Sequence, residues 1–281
     1  IRVLWEMPEH SVHCVVTSPP YYGLRNYGIA PRLWDDRSGW GPDAWRGVLG
    51  QEPTLELYVQ HIVDVFRAVK HMLHPRGSLW LNLGDSYAGG GRHDERKDIY
   101  DIPKDAKPKR PRQKRRSGKD LLMVPAHVAI ALQRYGWILL HDNIWAKAVS
   151  FCPPCRSCGA SGYSGSVMPE STKDRTTHSH EHLFHLTLAE NAFYDQDGCR
   201  EPYADNTTMQ LRSLYTGTGR KDYAGAGVQD PSDNKRRVLR GIESGSGRNL
   251  RNTWIVPKQN FPGAHFATFS EKLVEPIIKL A

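Results

Sequence analysis

Residues 12–23 read VHCVVTSPPYYG, a run rich in β-branched residues that breaks into a serine, two prolines and two tyrosines. Branched side chains favour a pleated strand, so VHCVVTS is expected to be extended. Neither Pro19 nor Pro20 can donate a ladder hydrogen bond, and SPPYYG must therefore follow as a loop. In open α/β sheets, a loop beyond the carboxyl end of a strand is where ligands bind. The segments that follow decide whether such a sheet exists.

A short helical piece is expected around Val3–Trp5, and residues 24–53, rich in Gly, Pro, Trp and charge, read as irregular. LYVQHIVDVFRAVKHML, residues 57–73, places Tyr58, Ile62, Phe66, Val69 and Leu73 on one helical face, with Pro75 and Gly77 ending the helix. SLWLNLGDSY gives a strand over Leu79–Leu83 that opens into Gly84-Asp85. A helix is expected from near Pro125 to Gly136, then strands in WILLHDNIW (137–145), HEHLFHLTL (180–188) and TWIVP (253–257). In HFATFSEKLVEPIIKLA (265–281), Ser270 is placed to cap a helix and Pro276 to kink or restart it. Strands alternating with helices over the first 150 residues imply a mainly parallel α/β sheet. Thr17-Ser18-Pro19-Pro20 and Gly84-Asp85 then sit together at strand carboxyl ends.

The chain has 281 residues, 39% of them apolar, enough for one large or two modest domains with a real core. No apolar run approaches the roughly 18–20 residues needed to cross a bilayer, and no internal repeat is present. The N-terminus lacks the regions of a signal peptide, and a cytoplasmic or nuclear setting is expected. Five cysteines are an odd count that suits a reducing compartment. Cys152, Cys155 and Cys158 could give three ligands of a structural zinc, with Cys199, His178, His180 or His182 as fourth; the alternative is a loop of free thiols. The formal charge of +8 is concentrated in residues 104–119, which hold nine Lys or Arg. That block favours a polyanion partner; the other reading is a solvated loop or localisation signal.

Ser18 lies in no G-x-S-x-G elbow, so a serine hydrolase is not expected. SPPYYG instead supplies fixed acceptors: the Ser18 hydroxyl oxygen and the Ser18 and Pro19 carbonyls, on a backbone with little freedom to lose. An amine on an aromatic ring is a matching donor. Acceptors on its protons pull the nitrogen towards a tetrahedral, nucleophilic form, while Tyr21 or Tyr22 stacks on the ring.

On these residues the chain resembles the amino-methyltransferases that act on DNA, which carry S/D/N-P-P-Y/F. TSPPYYGLRNYG is similar to their catalytic motif, and the serine form is typical of the cytosine-N4 branch. LWLNLGDSY, GWILLHDNIWAK, MPESTKDRTTHSHEHLFHLT and HFATFSEKLVEPII resemble further family motifs in the right order. The resemblance implies a Rossmann-like class I methyltransferase sheet in permuted order, with a loop-rich target-recognition region. It implies methyl transfer from S-adenosylmethionine to the N4 amine of a flipped cytosine in double-stranded DNA, within restriction-modification. The alternatives are adenine-N6 transfer and, in another class, a non-catalytic basic DNA-binding protein.

Carried onto this sequence, Ser18, Pro19, Pro20 and Tyr21 would hold the base. Phe266, Ala267, Thr268 and Phe269 would line the cofactor site with Lys272, and Asp85 would be a further polar contact or a turn residue. Residues 1–199 would form the catalytic region, with a basic loop at 89–119 and a cysteine-rich insert at 150–167. Residues 200–253 would recognise the target, and 254–281 would return to the catalytic fold. Lys109, Arg110, Arg112, Lys114, Arg115 and Arg116, together with Arg236 and Arg237, are the expected DNA contacts. Permuted members continue past the HFATF-type motif into D-P-F-x-G-x-G, which residues 1–281 do not contain. The expectation is a fragment of a longer protein; the alternatives are a second chain that completes the cofactor site, or a degenerate relative.

Overall fold

The computed structural model describes residues 1–24, 28–34, 45–88, 118–152, 162–167, 170, 173–202, 247–259 and 269–281. Lys109–Arg116, Arg236, Arg237, Cys155, Cys158 and Phe266–Thr268 lie outside the described residues. Helix α1 (Arg2–Glu6) precedes strand β1 (Val12–Thr17), the short strands β2 (Arg32–Trp34) and β3 (Trp45–Gly47), helix α2 (Leu55–Met72) and strand β4 (Leu73–Leu83). Then come α3 (Val124–Arg134), β5 (Ile138–Ala146), β6 (Ala148–Cys152), β7 (Gly162–Gly165) and β8 (His180–Thr187). Strands β9 (Arg200–Glu201), β10 (Arg248–Asn249) and β11 (Thr253–Ile255) and helix α4 (Glu271–Leu280) complete the described elements.

Five strands form one sheet in the order β1-β4-β8-β5-β11. The outer pairs β1/β4 and β5/β11 are parallel, while β8 is antiparallel to both β4 and β5. Four strands thus share one direction, as alternation of strands and helices implies, and β8 is inserted against it. Consequently the carboxyl ends of β1, β4 and β5 and the amino end of β8 lie at one edge.

Helix α2 joins β1 to β4 as a crossover. Thr54 opens it, its hydroxyl accepting from the Leu57 N–H at 3.2 Å, and Glu56 and Lys70 complement the helix dipole at its two ends. The expected face of α2 is buried: Tyr58, Ile62, Phe66 and Val69 pack with Leu79, Leu81 and Leu83 of β4 and Val128 and Leu132 of α3. The opposite face of β4 carries Trp80, whose ring stacks on His185 of β8 at 4.1 Å between centroids. Burial, followed by neighbouring His141, pushes His185 down to about 4, so it stays uncharged at neutral pH.

The structure differs from expectation at four places. Helix α2 ends at Met72, and β4 begins at once, running through Pro75 and Gly77. Proline is tolerated there because the ladder slips: Val12 pairs with Leu73 but Cys14 with Ser78, so His74–Gly77 bulge out of register. A Cβ at Gly77 would lie 2.6 Å from the His13 carbonyl oxygen, which explains the glycine. Within residues 24–53, β2 and β3 pair as an antiparallel hairpin, Trp34 opposite Trp45. At α4 the Ser270 hydroxyl donates to Gln259 Oε1, which also accepts the Glu271 N–H at 2.9 Å, so Gln259 takes the capping role expected of Ser270. Helix α4 continues through Pro276, with Leu273, Ile277 and Leu280 buried on one face.

By contacts the chain divides into a unit of residues 1–193 with 252–274 and a unit of residues 194–251 with 275–281. The first holds the five-stranded sheet. In the second, β9 and β10 pair antiparallel, and the Glu201 carboxylate accepts from Arg248 at 3.2 Å and Arg251 at 2.9 Å.

Ile62 is fully buried between α2 and the sheet. Ile62→Ala is expected to destabilise the protein by roughly 2–5 kcal/mol with an unchanged denaturant slope, as read by urea unfolding.

Candidate functional site

The SPPYYG loop is fixed from several sides. The Tyr58 hydroxyl, on α2, donates to the Pro20 carbonyl at 3.0 Å, and the Tyr22 ring packs 5.5 Å from that of Tyr58. The Gly23 N–H donates to the Gly50 carbonyl at 2.8 Å, and the Gly50 N–H to Glu52 Oε2 at 2.8 Å. Gly50 has φ +91°, and a Cβ there would stand 2.8 Å from the Tyr21 carbonyl oxygen. Glu52 is itself held by His61, its Oε1 2.9 Å from Nδ1, and the His61 ring stacks on Trp34 at 4.5 Å and on Trp45 at 5.4 Å. A buried carboxylate–imidazole pair and the β2–β3 hairpin therefore support the loop from behind.

Tyr21 reaches across the ends of three strands. Its hydroxyl is 3.0 Å from Ser18 Oγ, 2.9 Å from Asn82 Oδ1 on β4 and 2.9 Å from Glu181 Oε2 on β8. Asn82 Nδ2 donates to the His182 carbonyl at 3.0 Å, which turns its oxygen towards the phenol. Lys147, just after β5, is in contact with the other oxygen of Glu181, and this pair is 12% and 14% exposed. The low exposure makes the ion pair poorly screened. Burial, then the Glu181 charge, pushes the Tyr21 phenol well above its ordinary range, so it remains protonated. Ser18 is exposed beside it.

A cleft of about 210 Å³ opens at the strand ends, lined among others by Tyr21, Leu24, Gly84, Asp85, Lys147, His180 and Glu181. Gly84 faces the Tyr21 ring, and a Cβ there would lie 2.7 Å from it. His180 is pushed below its usual value by burial and by neighbouring His178 and His182, which keeps a neutral imidazole in the cleft wall. The chemistry on offer is that of hydrogen-bond acceptors around an aromatic face.

The structure brings Ser18, Pro19, Pro20 and Tyr21 to the same edge as Asp85. Asp85 lines the cleft, and its Oδ1 accepts the N–H groups of Ser86 at 2.8 Å and Val124 at 2.9 Å. It therefore caps α3 from outside, where Met123 at the N-cap adopts a left-handed φ of +53° and makes no side-chain cap bond. Phe269 is half-buried and Lys272 is exposed in the first turn of α4. Cys199 is in no disulfide, and no group of three potential metal ligands occurs among the described residues.

Sequence reading missed Asn82, Lys147 and Glu181. A lone amide inside LWLNLG is the one visible signal for Asn82, since an apolar strand buries no polar group without a partner. Nothing local marks Glu181, which meets Tyr21 across 160 residues.

A family profile described as DNA methylase, of the N6/N4 type, matches residues 12–281. The type II methyltransferase M.XycI of Xanthomonas campestris pv. cyanopsidis is 32% identical over 284 residues, covering 99% of this chain and 69% of that protein. M.Cfr9I of Citrobacter freundii, also a type II methyltransferase, is 33% identical over 288 residues, with the same coverage. A solved structure of the PvuII DNA methyltransferase (cytosine-N4-specific) aligns with a TM-score of 0.48 at 16% identity, covering 99% of this chain and 66% of that one. With its profile match spanning nearly all its residues and a third of its positions shared with type II methyltransferases, the chain belongs to the N6/N4 family of S-adenosylmethionine-dependent DNA methylases.

Proposed function

We propose that this chain methylates the exocyclic N4 amine of cytosine at a specific duplex DNA site, as the modification activity of a type II restriction system. The observation that carries this reading is the hydrogen-bond direction at Ser18. The phenol of Tyr21 has one proton and two neighbours, Asn82 Oδ1 and Glu181 Oε2, that can only accept it. The Ser18 hydroxyl must then donate to Tyr21, and only its lone pairs remain for a ligand. An exposed acceptor beside the tyrosine that lines the cleft suits an aromatic amine and not a carbonyl. Serine at this position, where Asp or Asn is usual for adenine, favours cytosine.

Transfer requires the amine to form an N–CH₃ bond as the donor's S–CH₃ bond breaks, and the amine then loses a proton to water. S-adenosylmethionine, when bound, supplies the methyl on an electrophilic sulfonium. The described residues fit the acceptor half of this transfer: Ser18 and the Pro19 carbonyl take the amine protons and Tyr21 presents its ring. The cofactor residues Phe266–Thr268 lie outside the described residues, and Phe269 and Lys272 are proposed to complete that side. Reaching such a pocket requires a base turned out of the duplex. Residues 200–253 are proposed to read the target sequence, and the basic loop at 89–119 to contact phosphates.

Mass spectrometry of nucleosides from DNA treated with the full chain and S-adenosylmethionine is expected to give N4-methyldeoxycytidine. Ser18→Ala should lower its yield by about 10²–10³-fold. N6-methyldeoxyadenosine in its place would reassign the base, and neither product above the Ser18→Ala background would remove the enzyme reading.

Gly84→Ala offers a second test, because the added Cβ forces the Tyr21 ring to move. Single-turnover transfer should slow by about 100-fold, with DNA affinity held within about threefold.

A further inference from the structure

We infer that Glu181 and Lys147 are positioning residues that fix the polarity of the Ser18 hydrogen bond, and so make Ser18 an acceptor for the target amine. This inference rests on the reading of the site as an amino-methyltransferase and deepens it.

A hydroxyl is ambivalent: serine can donate or accept, and only acceptance draws the amine nitrogen towards a nucleophilic geometry. The ambiguity is removed by counting protons along a chain of contacts. Ser18 Oγ stands 3.0 Å from the Tyr21 hydroxyl, and that hydroxyl stands 2.9 Å from Glu181 Oε2. Lys147 holds the second Glu181 oxygen, which leaves Oε2 facing the phenol. A carboxylate is the stronger acceptor of the two on the phenol, because a charge-assisted bond is about twice as strong as a neutral one. The phenol proton is therefore drawn towards Glu181, the serine proton follows onto the phenol oxygen, and the serine lone pairs face outward. Asn82 Oδ1, 2.9 Å away, shares the same proton and acts in the same sense. Without the Glu181 charge, the neutral Asn82 amide alone draws the phenol proton, so part of the population turns that proton to Ser18, and Ser18 then points its own proton at the amine. That arrangement opposes catalysis while leaving the loop in place, since the loop is held separately by Tyr58 and Gly50.

The test is a double-mutant cycle on the full chain, read as single-turnover methyl transfer. Glu181→Gln is expected to slow transfer by about 10- to 100-fold at nearly unchanged KM for DNA and cofactor. Lys147→Ala should behave alike, and Lys147→Arg, which keeps the charge, should recover transfer to within about threefold of wild type. In a Ser18→Ala background nothing remains to be oriented, so Glu181→Gln should cost less than about twofold more. An equal cost in both backgrounds would show that Glu181 acts independently of Ser18 and would overturn the inference.

A second readout needs no turnover. With ¹³C-labelled tyrosine, the resonance identified as Tyr21 by its loss in Tyr21→Phe should move in both Glu181→Gln and Ser18→Ala; a resonance unmoved by Glu181→Gln overturns the inference. Methylation of adenine by the wild type would count against the proposed base alone, and the cycle would be read on that product. Absence of any transfer by the wild type would count against the enzyme reading, and the tyrosine resonance would still decide the role of Glu181.

Discussion

The parallel pairing of β1 with β4 is the constraint from which the site follows. It sets Thr17 opposite Leu81, so the loop that leaves β1 at Ser18 emerges beside Asn82 near the end of β4 and the Gly84-Asp85 turn that follows. Side chains too large at Gly77 or Gly84 would push the two strands or the Tyr21 ring apart, and both positions are glycine. With the two strand ends held at this spacing, the Tyr21 phenol reaches Asn82. The stiffness of Pro19-Pro20 then serves the site, because a loop with little freedom in the unfolded chain gives up little on ordering.

Electrostatics add direction to this geometry. The edge of the sheet gathers a cation, Lys147, a carboxylate, Glu181, a buried phenol and an imidazole that stays neutral. A lysine–glutamate pair with little exposure contributes little net stability, because desolvation offsets most of its attraction. Its role lies in direction: Glu181, together with Asn82, draws the Tyr21 proton inward, and the Ser18 proton follows. The carboxylate of Glu52 performs a mechanical version of the same task behind the loop, tying the Gly50 amide to His61.

Much of this was legible in the sequence, and the limits are physical. The end of β1 was marked by two prolines, the buried face of α2 by its 3.6-residue spacing, and the turn after β4 by Gly84. These are local signals. The central place of β8 was not legible, because HEHLFHLTL reads as a strand but carries no mark of its direction or neighbours. Glu181 was invisible for that reason, since its role depends on antiparallel entry between β4 and β5. Asp85 was placed correctly at the strand end, yet its bond to the Val124 amide links it to a helix 39 residues on. Ser270 stood in the right position to cap α4, but the longer reach of Gln259 put an amide oxygen there first.

The antiparallel β8 has a further consequence, for tolerance of added sequence. Ala146 at the end of β5 pairs with His180 at the start of β8, and the Lys147 N–H donates to the Ser179 carbonyl at 2.9 Å. The chain between them, residues 148–178, leaves and re-enters the sheet at neighbouring points. Closing such a segment costs only about 0.6 kcal/mol more for each doubling of its length. This stretch, the cysteine-rich run included, can therefore change in length while Lys147 and Glu181 stay in contact at its two ends. The pair that orients the site is also the clasp of this segment.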